Sequence, residues 1–191
     1  MTNAFSRTLP GAAVPFLAGV LALFPLRVTA EIIVPLSLDQ LAARAELVIR
    51  GSVVAVESAR DDAGRIFTRI EIAVEETWKG TLATNRFAVV QGGGVLGDRR
   101  TTVTGQAEFK MGERAVLFLV LNPRGEGVTL GLAQGKFRVE QDPATAELLV
   151  HSPFHGTGAT ATSRAKSSPG DAAPTRLTLA ALKQRVKGNA Q

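Results

Sequence analysis

The sequence predicts a mainly β domain. The expected fold is a small OB-like Greek-key barrel of five to six strands with a short N-terminal helix and a short C-terminal helix; a β-sandwich is the alternative. Three observations predict it. Residues 66–78 alternate apolar and polar side chains over thirteen positions, long for one strand. Short runs rich in Val and Ile recur between turns containing Gly and Asp, and only two short stretches show helical spacing. Residues Ala115–Leu121 (AVLFLVL) are apolar throughout, as in a strand covered on both faces.

Residues 1–30 read as a signal peptide. Arg7 precedes an uncharged stretch whose apolar part, Ala12–Phe24, has h-region length and is short for a membrane-spanning helix. Pro25 breaks it, and Val28-Thr29-Ala30 offers the small residues that cleavage after Ala30 requires. An uncleaved anchor is the rival, disfavoured by Pro10, Pro15 and Pro25. The chain is therefore expected to be exported, periplasmic or extracellular, with no transmembrane segment after cleavage.

The barrel is expected over residues 31–150. Ser37 and Gln40 have the spacing of a capping box, and Leu38, Leu41 and Ala42 follow at helical spacing, which predicts a helix over 38–46. Residues 47–56 form a strand-like run in which Gly51 marks a bend or bulge. Asp61-Asp62-Ala63-Gly64 supplies a turn. The long alternating strand comes next, with Ile66, Thr68, Ile70, Ile72, Val74 and Trp78 of one parity, and Gly80 ends it. Arg86–Gln91 is a third strand, and residues 92–105 a long Gly-rich loop. After Ala115–Leu121, residues 128–139 give one or two closing strands, and Leu148–Val150 an edge.

Residues 151–176, rich in Ser, Thr, Ala, Gly and Pro, read as a flexible linker. Residues 177–191 read as a short basic amphipathic helix. Thr178 is its N-cap, Leu179, Leu182 and Val186 its apolar face, Lys183, Arg185 and Lys187 its basic residues, and Gly188 its stop. Such a helix either makes a weak surface contact with an acidic partner or membrane surface, or packs back on the barrel or frays as a terminus.

Composition excludes several function classes. The 191 residues contain no Cys, so disulfides, thiol nucleophiles and Cys-based metal sites are absent. The net charge of +5 is uneven. Residues 31–150 hold 14 Lys+Arg against 16 Asp+Glu, whereas residues 151–191 hold 6 against one, and the leader adds Arg7 and Arg27. A nucleic-acid binder is expected to carry its basic stripe on the fold, so no nucleic-acid partner is expected. Phe67 is the one aromatic on the polar face of the long strand, too few for base stacking; Phe87, Phe109, Phe118 and Phe137 read as core.

Other chemistry is weighed against plainer readings. His151 and His155 have metal-ligand spacing, but Pro153 argues against the helix that would join them, and an exposed flexible segment accounts for them. Asp61 and Asp62, with Glu57, are a weak cation candidate and more simply turn residues. Glu75 and Glu76, as strand neighbours, should face opposite sides. No catalytic residue, metal site or cofactor is expected. The candidate ligand-binding residues are Gly92, Gly93, Gly94, Asp98, Arg99 and Arg100. Glycines there let backbone N–H groups meet an anion beside two arginines, although the phosphate-loop spacing is lacking and a flexible connection is the plainer reading.

Three segments carry a resemblance: residues 45–54 (AELVIRGSVV), 70–80 (IEIAVEETWKG) and 109–119 (FKMGERAVLFL). They resemble uncharacterised exported bacterial domains and are distantly similar to the netrin-like (tissue-inhibitor-of-metalloproteinase-like) OB-fold module. The likeness covers roughly residues 45–140. It implies an OB barrel and a protein-interaction role. The family's inhibitory mechanism, which needs an N-terminal Cys, does not carry over to a chain without one. The expected function is an exported, non-catalytic binding or protein-interaction domain. Its partner would be an unidentified protein or envelope component. A secreted metal-dependent hydrolase and a structural envelope component are the alternatives.

Overall fold

A computed structural model describes residues 35–155 and 176–189. The expected leader over 1–30 lies outside the described residues, as does 156–175 of the expected linker.

The elements are α1 (Leu38–Arg44), β1 (Leu47–Arg60), β2 (Ile66–Lys79), β3 (Arg86–Gly92), β4 (Gly94–Leu96), β5 (Arg99–Thr101), β6 (Arg114–Leu121), β7 (Gly127–Thr129), β8 (Lys136–Gln141), β9 (Leu148–His151) and α2 (Leu179–Gly188). Five strands close into a barrel in the order β1-β2-β3-β7-β6, with β6 returning to pair with β1. All seams are antiparallel except β3–β7, a parallel bridge of Val89 to Gly127. This is the OB-like Greek-key barrel with a short helix near each end, and closure excludes the sandwich alternative. The first half of β6 also pairs with β8, which pairs with β9 and extends the sheet beyond the barrel.

Two cores explain the residue pattern. Leu47, Ile49, Val53, Ile70, Ile72, Val89, Leu117 and Leu119 fill the barrel. Val48, Val116 and Phe118, from the opposite faces of β1 and β6, lie outside it under α1, α2 and β8, with Leu41, Phe137, Leu182 and Val186. Residues 115–121 are apolar throughout because both of their faces are covered.

The long strand departs from simple alternation. The β1–β2 register shifts at three places, skipping Glu75 and Trp78 on β2 and Val54 on β1. Each skipped residue is a bulge that rotates the remainder of its strand. Trp78 therefore leaves the barrel face of Ile72 and joins the outer core. Gly51 sits beside one bulge, and a Cβ there would come within 2.4 Å of the Ala73 carbonyl oxygen.

The capping box of α1 forms as expected. Ser37 accepts from Gln40 N–H, and Gln40 accepts from Ser37 N–H. Helix α2 docks against α1, β2 and β9, with Leu179, Leu182 and Val186 buried. Its apolar face is thus filled by the body of the protein, and Lys183 pairs with Glu76. Arg176, at the end of the expected linker, pairs with Asp142 at 2.7 Å. Among the described residues, no helix is long and apolar enough to cross a membrane.

Candidate functional site

A recess of about 980 Å³ lies on the outer face of β2 and β3. Ile70 and Ile72 point into the barrel, so Phe67 and Arg69 point out, and Val90 stands opposite Arg69 in register. Phe67, Val90 and Val128 give the recess an apolar floor. Its walls are the β1–β2 turn, the β6–β7 turn and the β4–β5 hairpin. OB-fold proteins that bind oligonucleotides or oligosaccharides use the corresponding face and loops.

The two turns share one construction. In the first, Asp61 Oδ1 accepts from the N–H groups of Ala63 and Arg65, and Gly64 N–H donates to the Asp61 carbonyl at 2.8 Å. In the second, Asn122 Oδ1 accepts from Arg124 and Glu126, and Gly125 N–H donates to the Asn122 carbonyl at 2.9 Å. Gly64 and Gly125 have φ of 77° and 76°, where a side chain is strained. Ion pairs complete the frame: Asp61 holds Arg65, and Glu126 reaches across to Arg69 on β2. The Arg65 N–H, seconded by its guanidinium, holds the Asp61 carboxyl below the usual aspartate range.

The third wall lies in the segment expected to be a long loop. Residues 94–101 instead form a hairpin, with Leu96 opposite Arg99 and a two-residue turn at Gly97-Asp98. Gly97, at φ 62°, occupies the first turn position, where a type II′ turn requires glycine. Three-residue strands are too short to show periodicity, which hid them in the sequence. The base of the hairpin is pinned to the barrel. Buried Thr68 donates to the Gly93 carbonyl at 2.8 Å, and Ser58 Oγ accepts from Val95 N–H at 3.2 Å. A Cβ on Gly94 would come within 2.4 Å of Ser58 Oγ and 2.5 Å of Thr68 Oγ1, so only glycine fits this anchor.

The recess brings together part of the expected site. Gly92, Arg99 and Arg100 line it. Gly93 and Gly94 form the hairpin anchor, and Asp98 sits exposed at the hairpin tip, outside the lining. Sequence reasoning missed Arg60, Arg65 and Arg124, which reach the recess from β1 and the two turns. Their turn positions were the available signal, but only barrel closure brings residues 60 and 124 together. Arg60, Arg99, Arg100 and Arg124 are exposed and form no ion pair among the described residues, whereas Asp61 and Glu126, the two lining carboxylates, are already paired.

The remaining candidates resolve into structural roles. His155 is half-buried and stacks on Phe137 with ring centroids 5.5 Å apart, and burial pushes its pKa down. His151 ends β9 and faces Glu140 at 3.5 Å. The expectation of an exposed flexible segment at 151–155 gives way to this packing. Asp62 and Glu57 form no ion pair among the described residues and belong to no group of three or more potential metal-ligating His, Asp or Glu side chains among them. The bulge at Glu75 breaks the expected alternation with Glu76: Arg50 lies opposite Glu76 in register yet bonds Glu75 at 3.2 Å. Lys183 holds the Glu76 carboxyl below its ordinary range, and Glu75 also binds Arg114 at 2.9 Å.

A second recess, about 500 Å³, exposes one face of a buried ion pair. Lys136 Nζ bonds both oxygens of Glu113 at 2.7 and 2.8 Å, bonds the Glu108 carbonyl, and lies 4.5 Å from the Phe109 ring centroid. Burial pushes this ammonium below the usual lysine range against the pull of Glu113. All three of its protons are committed, so the pair clamps segment 108–113 to β8.

Comparison with protein-family models and with curated protein sequences finds no match for this chain.

Proposed function

We propose that this chain is an exported, non-catalytic binding domain that holds an anionic ligand in the recess over β2 and β3. One observation carries the reading: Arg60, Arg99, Arg100 and Arg124 converge without carboxylate partners on an apolar floor. A cleft lined by one sign of charge focuses its field and concentrates ligands of the opposite sign. Its two carboxylates are bound to arginines, which favours binding over proton transfer. The walls are held by backbone hydrogen bonds before any ligand arrives, which lowers the ordering cost of binding. Export is supported by the uncharged apolar run Ala12–Phe24 and the small residues ending at Ala30. The OB strand order supports kinship with netrin-like modules, with contact through this cleft rather than through an N-terminal Cys.

Isothermal titration with poly-L-glutamate and with inorganic polyphosphate, at low and at physiological salt, tests the reading. At least one polymer should bind, more weakly as salt rises. The double variant Arg99→Glu/Arg100→Glu should lose affinity by roughly tenfold or more, about 1.4 kcal/mol. Absence of binding by both polymers, or binding indifferent to these substitutions, overturns it.

A further inference from the structure

We infer that the natural occupant of the recess is an extended peptide segment, alternating acidic and apolar residues, that adds as a strand to the open edge of β5. The inference rests on the reading of the recess as an anion-binding site and names the ligand class.

The hairpin has one covered side and one open side. β4 lies toward the barrel, where Val95 N–H bonds Ser58 Oγ. β5 is the outer strand, and β4 is its sole sheet partner among the described residues. In a hairpin with a two-residue turn, the residues flanking the turn exchange both backbone bonds, and the next pair points its N–H and C=O groups outward. Leu96 and Arg99 flank the turn, so Val95 and Arg100 are the outward pair. The bond from Val95 to Ser58 agrees with that alternation. Arg100 therefore presents a backbone donor and an acceptor on the edge away from β4, and Arg99, Arg100 and Thr101 all line the recess.

An unpaired edge is a template for another strand, and proteins commonly guard such edges with charge. Here the guard is Arg99-Arg100. It repels a second copy of the same edge and favours an acidic one. A strand added there sends alternate side chains toward the floor, where Val90 and Val128 offer apolar contact and Val103 is 41% exposed. Its carboxylates come within reach of the long side chains of Arg60, Arg99, Arg100 and Arg124. A single-stranded nucleic acid suits the recess less well, because Phe67 is the one aromatic in its lining and base stacking uses several.

The test titrates the full chain with four probes. These are a synthetic peptide alternating glutamate with valine or threonine, the same peptide with prolines at its centre, inorganic polyphosphate, and oligothymidine. The alternating peptide should bind, and proline interruption should weaken it by roughly tenfold. Hydrogen exchange at the Arg100 amide should slow when that peptide is present. Arg99→Glu/Arg100→Glu and, separately, Arg60→Gln/Arg124→Gln should weaken binding while leaving thermal unfolding unchanged, since these side chains are exposed. Equal binding of the interrupted peptide, or polyphosphate or oligothymidine binding through the same arginines while the peptide does not, overturns strand addition and leaves the cleft reading standing. Failure of every probe overturns strand addition, and failure of poly-L-glutamate as well overturns both.

Discussion

Asp61 and Asn122 do the same work on opposite walls of the recess. Each side-chain oxygen accepts two backbone N–H groups of its own turn, and each turn closes on a glycine three residues later with φ near 77°. The shared device fixes the shape of each wall, because neither turn needs a ligand to satisfy its backbone.

Removing Asn122 Oδ1 should therefore be felt in stability. Asn122→Ala orphans the N–H groups of Arg124 and Glu126 and should cost about 1–2 kcal/mol in urea denaturation. Gly125→Ala should cost about 1 kcal/mol. A Cβ at Gly125 meets nothing within 4 Å, so that loss would report backbone strain rather than a clash.

Asp61 predicts a pH dependence that Asn122 lacks. Its folded pKa lies below the usual aspartate value of about 3.9. The unfolded chain thus binds the proton more readily, so this contribution is present above about pH 4 and is lost as pH falls through the folded value. Asp61→Asn keeps an acceptor for the turn while removing the charge. It should flatten the acid limb of a plot of urea midpoint against pH; an unchanged limb would exclude Asp61 as its source.

The Lys136–Glu113 pair predicts an asymmetry between single and double substitutions. Both side chains are nearly nine-tenths buried. Glu113→Ala leaves a buried ammonium without its carboxylate and should cost about 3 kcal/mol or more. Lys136→Met/Glu113→Leu removes both charges and should cost clearly less. Chemical denaturation of the single and double variants checks the order.

Much of the fold was legible because its strands are long or one-sided. The alternation in 66–78, the apolar run 115–121 and the capping box at Ser37 each declare an element through local pattern. Other features depend on residues far apart. The skips at Glu75 and Trp78 are set by pairing with β1, so sequence parity placed Trp78 on the wrong face. The apolar face of α2 was visible, but the surface that receives it includes Val48 and Val116, which show in sequence only as interruptions of a barrel pattern. In the recess, Arg99 and Arg100 stood out beside glycines. Arg60 and Arg124 did not, because barrel closure alone makes them neighbours.

Docking of α2 gives its apolar face a structural role and leaves Arg185 and Lys187 exposed. Leu182 is fully buried in the outer core, so Leu182→Ala should cost about 2–5 kcal/mol by denaturation. Arg185→Glu/Lys187→Glu lies on exposed positions in the last turn of the same helix; it should cost about 1 kcal/mol through the helix dipole and leave anion binding nearly unchanged.

The last pair supplies the control for the central claim, that the recess arginines rather than overall charge hold an anionic ligand. Poly-L-glutamate and inorganic polyphosphate should be titrated into the unsubstituted chain, Arg99→Glu/Arg100→Glu and Arg185→Glu/Lys187→Glu at one salt concentration. Both variants make the same change in net charge. The account predicts that affinity for the binding polymer falls by roughly tenfold or more in the first and by less than about twofold in the second. Equal losses in both variants, or a loss confined to the helix variant, would contradict it.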